Sequence, residues 1–242
     1  MNDKRVVLVV GAGDATGGAI ARRFAREGYI ACLTRRHADK LAPLVERIHA
    51  EGGSAHGFGS DARKEDDVVK LVAMIECDIG PIDVAVFNVG GNVRFGITET
   101  TERVYRKVWE MGCYAGFLVG REVAKAMLPR EHGTILFTGA SASLRGAAGF
   151  AAFAGAKHGL RALAQSMARE LGPLGIHVAH VVIDGAIDTE FIEQMFPERY
   201  ALKDQDGILD PEAIAENYWQ LHRQQRNAWT HEIDLRPWIE KW

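Results

Sequence analysis

The sequence is poor in cysteine and proline, has no large excess of either charge and contains no long apolar run. Three cysteines in 242 residues cannot supply a disulfide framework. Because Cys32, Cys77 and Cys113 are isolated in apolar stretches, we expect them to be structural thiols in a reducing cytoplasm, and we expect no metal site. A net charge of −3 provides no attraction to nucleic acid or to anionic lipid.

No segment reaches the roughly 18 unbroken apolar residues that a membrane-spanning helix requires. The first apolar run turns at Gly11, and it lacks the length and the small-residue cleavage site of a signal peptide. The 7 prolines and 26 glycines do not gather into a linker. We therefore expect a single domain over residues 1–242, with neither a membrane nor a nucleic acid as partner.

Short apolar runs alternate with longer amphipathic segments along the chain. The apolar runs predict strands at about 5–10, 29–34, 55–58, 83–87, 134–138, 177–183 and 229–235. The amphipathic segments predict helices at about 16–27, 38–51, 64–78, 102–128, 149–171 and 211–225. Most of these runs are nearly continuous in Val, Ile, Leu or Ala, as expected for strands covered on both faces. The pattern predicts an α/β fold, namely a Rossmann-type doubly wound parallel sheet of about seven strands with helices on both faces.

A glycine-rich turn joins the first predicted strand to the first predicted helix. It reads Gly11-Ala12-Gly13-Asp14-Ala15-Thr16-Gly17-Gly18. Glycines suit this place because the chain must turn sharply and its backbone must approach a pyrophosphate, which the helix N-terminus then faces. We therefore predict a dinucleotide site here. Its candidate contacts are Gly11, Gly13, Ala15, Thr16 and Gly17.

Two arginines at the end of the second predicted strand bear on the choice between NADP(H) and NAD(H). An acidic residue there would bind the adenosine ribose hydroxyls and repel a 2′-phosphate, whereas guanidinium groups bind phosphate. Arg35 and Arg36 therefore favour NADP(H). Asp14 would favour NAD(H) if its carboxylate faces the same ribose, so both cofactors stay open at this point.

These features resemble the short-chain dehydrogenase/reductase family over nearly the whole chain. Beyond the glycine-rich opening, the resemblance lies in Asp61-Ala62, in Phe87-Asn88-Val89-Gly90 and in Asp184-Gly185-Ala186-Ile187-Asp188-Thr189, which has Asp184 where the family has proline. The resemblance implies an NAD(P)-dependent oxidoreductase that forms a homodimer or homotetramer through its long fourth and fifth helices. It also implies further cofactor contacts at Asp61, Ala62, Asn88, Gly90, Gly185, Ile187 and Thr189.

The catalytic positions of that family are mostly replaced. The family uses Asn, Ser, Tyr and Lys, and alignment on the segment GFAAFAGAK keeps only Lys157. Phe153 takes the tyrosine position, Ala140 the serine position and Gly112 the asparagine position. A phenyl ring cannot exchange a proton, and positioned acid–base catalysis is worth about 10²- to 10⁴-fold. Ordinary carbonyl reduction should therefore be weak or absent, while Lys157 either holds the nicotinamide ribose or is a solvated helix lysine.

Three other side chains are candidates for proton transfer or substrate binding. Ser141 lies one residue beyond the serine position, and Ser143, two residues further on, is expected to face the pocket better. Asp184, beside the expected nicotinamide, could act as an acid if burial raises its pKa. A hydrogen-bonded loop cap is the alternative role for Asp184, and water could supply the proton instead.

The segment at about 188–206 corresponds in the family to a mobile cover over the substrate. Phe191, Met195, Phe196 and Tyr200 would either line the substrate pocket or seal an edge of the core. With Phe153 beside them, a lining of this kind suggests a hydrophobic small-molecule substrate.

The last residues of the chain are rich in tryptophan. A surface tail does not need as many tryptophans as this one has, namely Trp229, Trp238 and Trp242. We expect them to be buried against the sheet or against a neighbouring subunit.

Two functions from different classes remain at this point. The first is an oxidoreductase that moves hydride between a nicotinamide and an apolar substrate. The substrate is either a carbonyl compound or alcohol, or an activated alkene. An alkene suits this site better, because its proton can arrive later from solvent. The second is a catalytically silent NADP(H)-binding protein that acts as a sensor or assembly partner.

Overall fold

The computed structural model describes residues 5–241, in which seven strands form one sheet with parallel neighbours throughout. The order across the sheet is β3-β2-β1-β4-β5-β6-β7. The strands are β1 (Val6–Val10), β2 (Ile30–Arg35), β3 (Ser54–Gly59), β4 (Ile82–Phe87), β5 (Gly133–Thr138), β6 (Ile176–Ile183) and β7 (Glu232–Leu235). The predicted parallel α/β sheet is confirmed.

Helices cover both faces of this sheet. They are α1 (Thr16–Arg26), α2 (Ala42–Ala50), α3 (Glu65–Met74), α4 (Glu102–Trp109), α5 (Ala115–Met127), α6 (Ala151–Leu171), α7 (Glu190–Met195), α8 (Pro197–Tyr200) and α9 (Pro211–His222). Side chains such as Phe24 of α1 and Tyr218 of α9 fill the core on one face. Leu118 of α5 and Leu160 of α6 fill it on the other.

The predicted helix at 102–128 is interrupted by a wider turn. Residues Glu110–Tyr114 form a π-helical turn between α4 and α5. Gly112 lies in this turn, and a Cβ added there would come within 3.0 Å of the Cβ of Ala156 in α6. The π-helical turn and α6 approach each other so closely at this position that glycine fits best there. This close approach is not visible in the sequence pattern alone.

The order of the strands creates a crevice at one edge of the sheet. The chain leaves β1 toward β2 on one side and leaves β4 toward β5 on the other, although β1 and β4 are neighbours. Connections that diverge in this way open a cleft beyond the carboxyl ends of the two strands, where ligands bind in such sheets. The loops that follow β1, β4, β5 and β6 meet there.

The tryptophans near the end of the chain have different surroundings. Trp229 stacks on His177 of β6, with ring centroids 4.9 Å apart. Trp238 is 77% exposed, so the expected burial is wrong for this residue within one protomer. Trp242 lies outside the described residues. No helix within residues 5–241 is both long and apolar enough to span a membrane.

Candidate functional site

Three adjoining cavities lie along the carboxyl edge of the sheet. The glycine cavity, of about 420 Å³, is lined by the turn after β1 and by residues that follow β4, β5 and β6. The arginine cavity, of about 190 Å³, shares Gly11, Val89 and Gly90 with it. The side cavity, of about 270 Å³, shares Asn92 and Ser141 with the glycine cavity, as well as Phe153. The three together form one extended cleft.

The glycine turn is built so that its backbone can lie against a ligand. Gly11 has a φ of +87°, and a Cβ there would lie 2.5 Å from the carbonyl oxygen of Asn88. Asn88 in turn donates a hydrogen bond from Nδ2 to the carbonyl oxygen of Gly11, at 3.1 Å. A Cβ on Gly17 would meet the same Gly11 oxygen at 2.6 Å, whereas nothing lies within 4 Å of a Cβ on Gly13. Gly13 thus leaves open the space in which a pyrophosphate would rest.

The structure brings nearly all the predicted cofactor contacts to these cavities. The glycine cavity is lined by Gly11, Gly13, Ala15, Thr16, Gly17, Asn88, Gly90, Lys157, Gly185 and Ile187. The arginine cavity is lined by Arg35, Arg36, Asp61 and Ala62. Thr189 is in neither lining, and its hydroxyl accepts a hydrogen bond from the backbone N–H of Ile192 at the start of α7. The residues at this edge fit an extended dinucleotide.

The arginine cavity is strongly positive. Arg63, which was not selected from the sequence, lines it together with Arg35 and Arg36. Arg63 donates to both oxygens of Asp61, at 2.9 and 2.6 Å, and these hydrogen bonds hold the pKa of that carboxyl below its ordinary value. Asp14 lines the glycine cavity and not this one, where the arginines Arg35 and Arg36 at the end of β2 lie.

Lys157 is buried at the floor of the glycine cavity and is only 3% exposed, which excludes the solvated role. Its Nζ donates to the carbonyl oxygens of Thr138 and Val89, at 2.8 and 3.1 Å. Thr138 is the last residue of β5, and Val89 lies in the segment that follows β4. Burial lowers the pKa of Lys157 to about 8.

Phe153 lies one helical turn before Lys157 on α6, and its ring lines both the glycine and the side cavity. The ring centroid is 6.0 Å from Lys157 Nζ. Ala140 also lines the glycine cavity, while Ser141 lines both cavities. The neutral polar residues that line both cavities together with Phe153 are Ser141 and Asn92. Asn92 was not selected from the sequence.

The expectation that Ser143 faces the pocket better than Ser141 is wrong. Ser143 is fully buried, and its Oγ accepts a hydrogen bond from the backbone N–H of Ala140 at 3.1 Å. The cause is a single turn of 3₁₀ helix over Ser141–Ser143, which replaces the extended backbone that a two-residue alternation assumes.

Asp184 is also not placed as a proton donor. It is 3% exposed, lines none of the three cavities and accepts hydrogen bonds on both oxygens from Arg145, at 3.1 and 3.2 Å. Both carboxylate oxygens are thus occupied by one guanidinium group, away from the cavities. The structure thus favours the structural role for Asp184.

The covering segment forms α7 and α8 but does not line the cavities with its apolar residues. Phe191, Met195 and Phe196 are 61%, 60% and 48% exposed. This exposure shows that they do not seal the core, and neither they nor Tyr200 line any of the three cavities. The cleft is reached instead by Arg199 of α8, which lines the side cavity.

Comparisons with known proteins agree with this geometry. The family model described as short chain dehydrogenase matches residues 5–199. A gluconate 5-dehydrogenase from Gluconobacter oxydans is 30% identical over 188 residues, which is 78% of this chain and 73% of the relative. A short chain dehydrogenase from Pseudocercospora fijiensis is 29% identical over 190 residues, or 77% of this chain, but the matched part is 60% of its own length.

Solved structures are similar over almost the full length. A short-chain dehydrogenase from Rhodopseudomonas palustris superposes with a TM-score of 0.83 and 49% identity, over 97% of this chain and 99% of that one. A metagenomic short-chain oxidoreductase in complex with NADP has a TM-score of 0.79 and 25% identity, over 98% of both chains. Fold, cleft and sequence agree: the chain belongs to the short-chain dehydrogenase family of NAD(P)-dependent oxidoreductases.

Proposed function

We propose that this protein is an NADP(H)-dependent oxidoreductase that reduces a carbon–carbon double bond conjugated to a carbonyl group. The observation that carries the proposal is the position of Phe153. Its ring lines the cleft 6.0 Å from Lys157 Nζ, where a proton donor would be needed for ketone reduction. A phenyl ring supplies no proton, so a reaction that needs none at the moment of hydride transfer suits the site.

The preference for NADP(H) is supported by the charge of the arginine cavity. No described residue forms an ion pair with Arg35 or Arg36, so both guanidinium groups are available to a phosphate. The one carboxylate in this lining, Asp61, is engaged by Arg63. A similar protein, the metagenomic oxidoreductase, was solved with NADP.

Each part of the cleft has a role in this reaction. When bound, NADPH supplies a hydride from its nicotinamide ring. The backbone around Gly13 binds the pyrophosphate, and Lys157 holds the nicotinamide ribose. Ser141 and Asn92, which line the glycine and side cavities together, donate hydrogen bonds to the carbonyl oxygen of the substrate.

The balance of the reaction explains why an alkene suits this site better than a ketone. Hydride adds to the β-carbon, the double bond shifts to give an enolate, and a water molecule then protonates the α-carbon, so that NADPH becomes NADP⁺. Negative charge rests meanwhile on the enolate oxygen, where Ser141 can stabilise it. A ketone would give a far more basic alkoxide, which requires an acid beside the oxygen as the hydride arrives.

The test compares benzylideneacetone, an aryl enone, with acetophenone, an aryl ketone, by loss of NADPH absorbance and by analysis of the products. The wild-type protein should give the saturated ketone from the enone and almost no alcohol from acetophenone. The double variant Phe153→Tyr/Ala140→Ser should gain acetophenone reduction by about 10²-fold or more, since it restores acid catalysis beside Lys157.

A matched control is Phe150→Tyr, which places a phenol in the side cavity but not at Phe153. It should gain no ketone reduction. A wild-type protein that binds NADPH and reduces neither compound, while the double variant reduces acetophenone, would contradict the proposed reaction. That result would favour the catalytically silent cofactor-binding protein.

We propose further that the protein forms a homodimer or homotetramer through the helices predicted at 102–128 and 149–171, which are α4, α5 and α6 in the structure. Tyr105, Trp109 and Phe117 on these helices are 43%, 40% and 38% exposed. Tyr114, in the π-helical turn between α4 and α5, stacks on Trp109 with ring centroids 5.8 Å apart. Sedimentation should give a dimer or tetramer that Trp109→Glu dissociates and the control Leu174→Glu, at an exposed apolar residue outside these helices, does not. An unchanged Trp109→Glu assembly would contradict this interface.

A further inference from the structure

The side cavity next to Phe153 is lined by cationic and apolar residues and by no carboxylate of the described chain. Its charged lining residues are Arg145 and Arg199, and its neutral polar residues are Asn92 and Ser141. The apolar wall consists of Ala142, Ala147, Phe150 and Phe153. A hydrophobic substrate alone, as the sequence suggested, would leave two guanidinium groups facing its apolar surface, which is unfavourable.

Arg145 is fixed in place and still has free donors. Its Nη1 and Nη2 bond to the carboxylate of Asp184, which is 4% exposed, while the Arg145 side chain itself is 46% exposed. A guanidinium group has five N–H donors, so Nε–H and further N–H groups remain for a second anion. Because Asp184 holds the group rigidly, little conformational entropy is lost when a ligand binds it.

Arg199 adds a positive charge that nothing in the described chain neutralises. It lies on α8 and lines the side cavity together with Arg145, and no described residue forms an ion pair with it. Arg145 and Asp184 cancel in charge, so Arg199 leaves the lining with one net positive charge. One singly charged anion would balance it.

We propose that the substrate of this site is an organic acid whose carboxylate binds between Arg145 and Arg199. Its apolar, preferably aromatic, portion lies against Phe150 and Phe153, and its reacting double bond points toward the glycine cavity. This inference rests on the proposed function for the placement of the reacting carbons. The carboxylate explains why a cleft with a phenyl ring at its centre also carries two arginines.

Binding can be measured apart from turnover with an acid that cannot accept hydride. Calorimetric titration with 3-phenylpropionate and with its methyl ester, at pH 7 and low salt, is carried out on the protein with and without saturating NADPH. The acid should bind about tenfold more tightly than the ester, because charge-assisted hydrogen bonds to a guanidinium group are stronger than neutral ones.

The variants test which charge is responsible. Arg199→Met should weaken binding of 3-phenylpropionate by about threefold to tenfold, and Arg145→Met/Asp184→Asn should do so by about tenfold, without leaving a buried carboxylate unpaired. Neither should change the affinity for the ester. Arg169→Met is the matched control, since Arg169 is exposed on α6 and bonds only to the Gln165 carbonyl of its own helix.

The two proposals fail in different ways. Equal or absent binding of acid and ester, or acid binding that neither variant weakens, would overturn the carboxylate site. Turnover is followed separately with 4-carboxybenzylideneacetone and its methyl ester. Preference for the acid supports both proposals, equal turnover of the two overturns the carboxylate site alone, and tight binding of acids without any NADPH oxidation overturns only the proposed reaction.

Discussion

Replacing Lys157 by methionine should change how the stability of the protein depends on pH, in a direction that burial determines. The ammonium group is 3% exposed, and burial lowers its pKa from 10.5 to about 8. In the unfolded chain it returns to its ordinary value. Between pH 8 and 10.5 the unfolded state therefore binds a proton that the folded state has lost, so the free energy of unfolding rises with pH in this window.

The size of the effect follows from the shift. One pH unit corresponds to about 1.4 kcal/mol, so the full window is worth about 3 kcal/mol and the interval from pH 8 to 10 about 2 kcal/mol. Methionine has no charge to desolvate, and so Lys157→Met lacks this rise. In the variant, the carbonyls of Val89 and Thr138 lose their hydrogen-bond donor. This loss lowers the free energy of unfolding of the variant by an amount that does not vary with pH.

The assay is urea unfolding of the cofactor-free protein at one concentration and at half-unit steps from pH 6.5 to 10. The difference in unfolding free energy, wild type minus Lys157→Met, should be flat below about pH 7.5 and should then rise by about 2 kcal/mol. Lys70→Met, which removes an exposed lysine of α3, should run parallel to the wild type. A difference that stays flat throughout, or falls above pH 8, would refute the account of Lys157.

Two further predictions concern the cofactor edge. Gly13→Val should leave the melting temperature nearly unchanged but weaken NADPH binding about tenfold or more, because the valine side chain enters open space of the cavity. Gly17→Ala should lower the free energy of unfolding by about 1–3 kcal/mol, because the added Cβ would lie 2.6 Å from the backbone oxygen of Gly11. Equal melting temperatures of these two variants would contradict the different space that the turn leaves at Gly13 and Gly17. Arg35→Ala/Arg36→Ala should raise the dissociation constant for NADPH about tenfold and leave that for NADH unchanged, and a parallel change in both would contradict phosphate recognition.

The fold could be predicted because its signals are local. The run that became β1 is apolar at all five positions, and those that became β4 and β6 are apolar except at Asp83, His177 and His180. Such nearly continuous runs are typical of strands covered on both faces. The glycine turn was recognisable for the same reason, since the positive φ of Gly11 and the contact of Gly17 with the Gly11 carbonyl oxygen both arise within one strand–turn–helix unit.

The side cavity could not be predicted because its groups are distant in sequence. Arg145 and Asp184 are 39 residues apart, and only the fold brings them together. One signal was available in the sequence. Asp184 directly follows the buried strand β6, and a carboxylate in such a place needs a cation nearby. The failure at Ser143 has a different source, since one 3₁₀ turn reverses which serine faces the cleft.

The most direct test of the central claim follows a labelled hydride through the cleft. The wild-type protein is incubated with benzylideneacetone and NADPH that carries deuterium at the transferable position of nicotinamide C4, and the product is examined by mass spectrometry and NMR. The account predicts one deuterium at the β-carbon of the saturated ketone and a solvent proton at the α-carbon. A product without deuterium, deuterium at the carbinol carbon of an alcohol, or no product from a protein saturated with NADPH would contradict it.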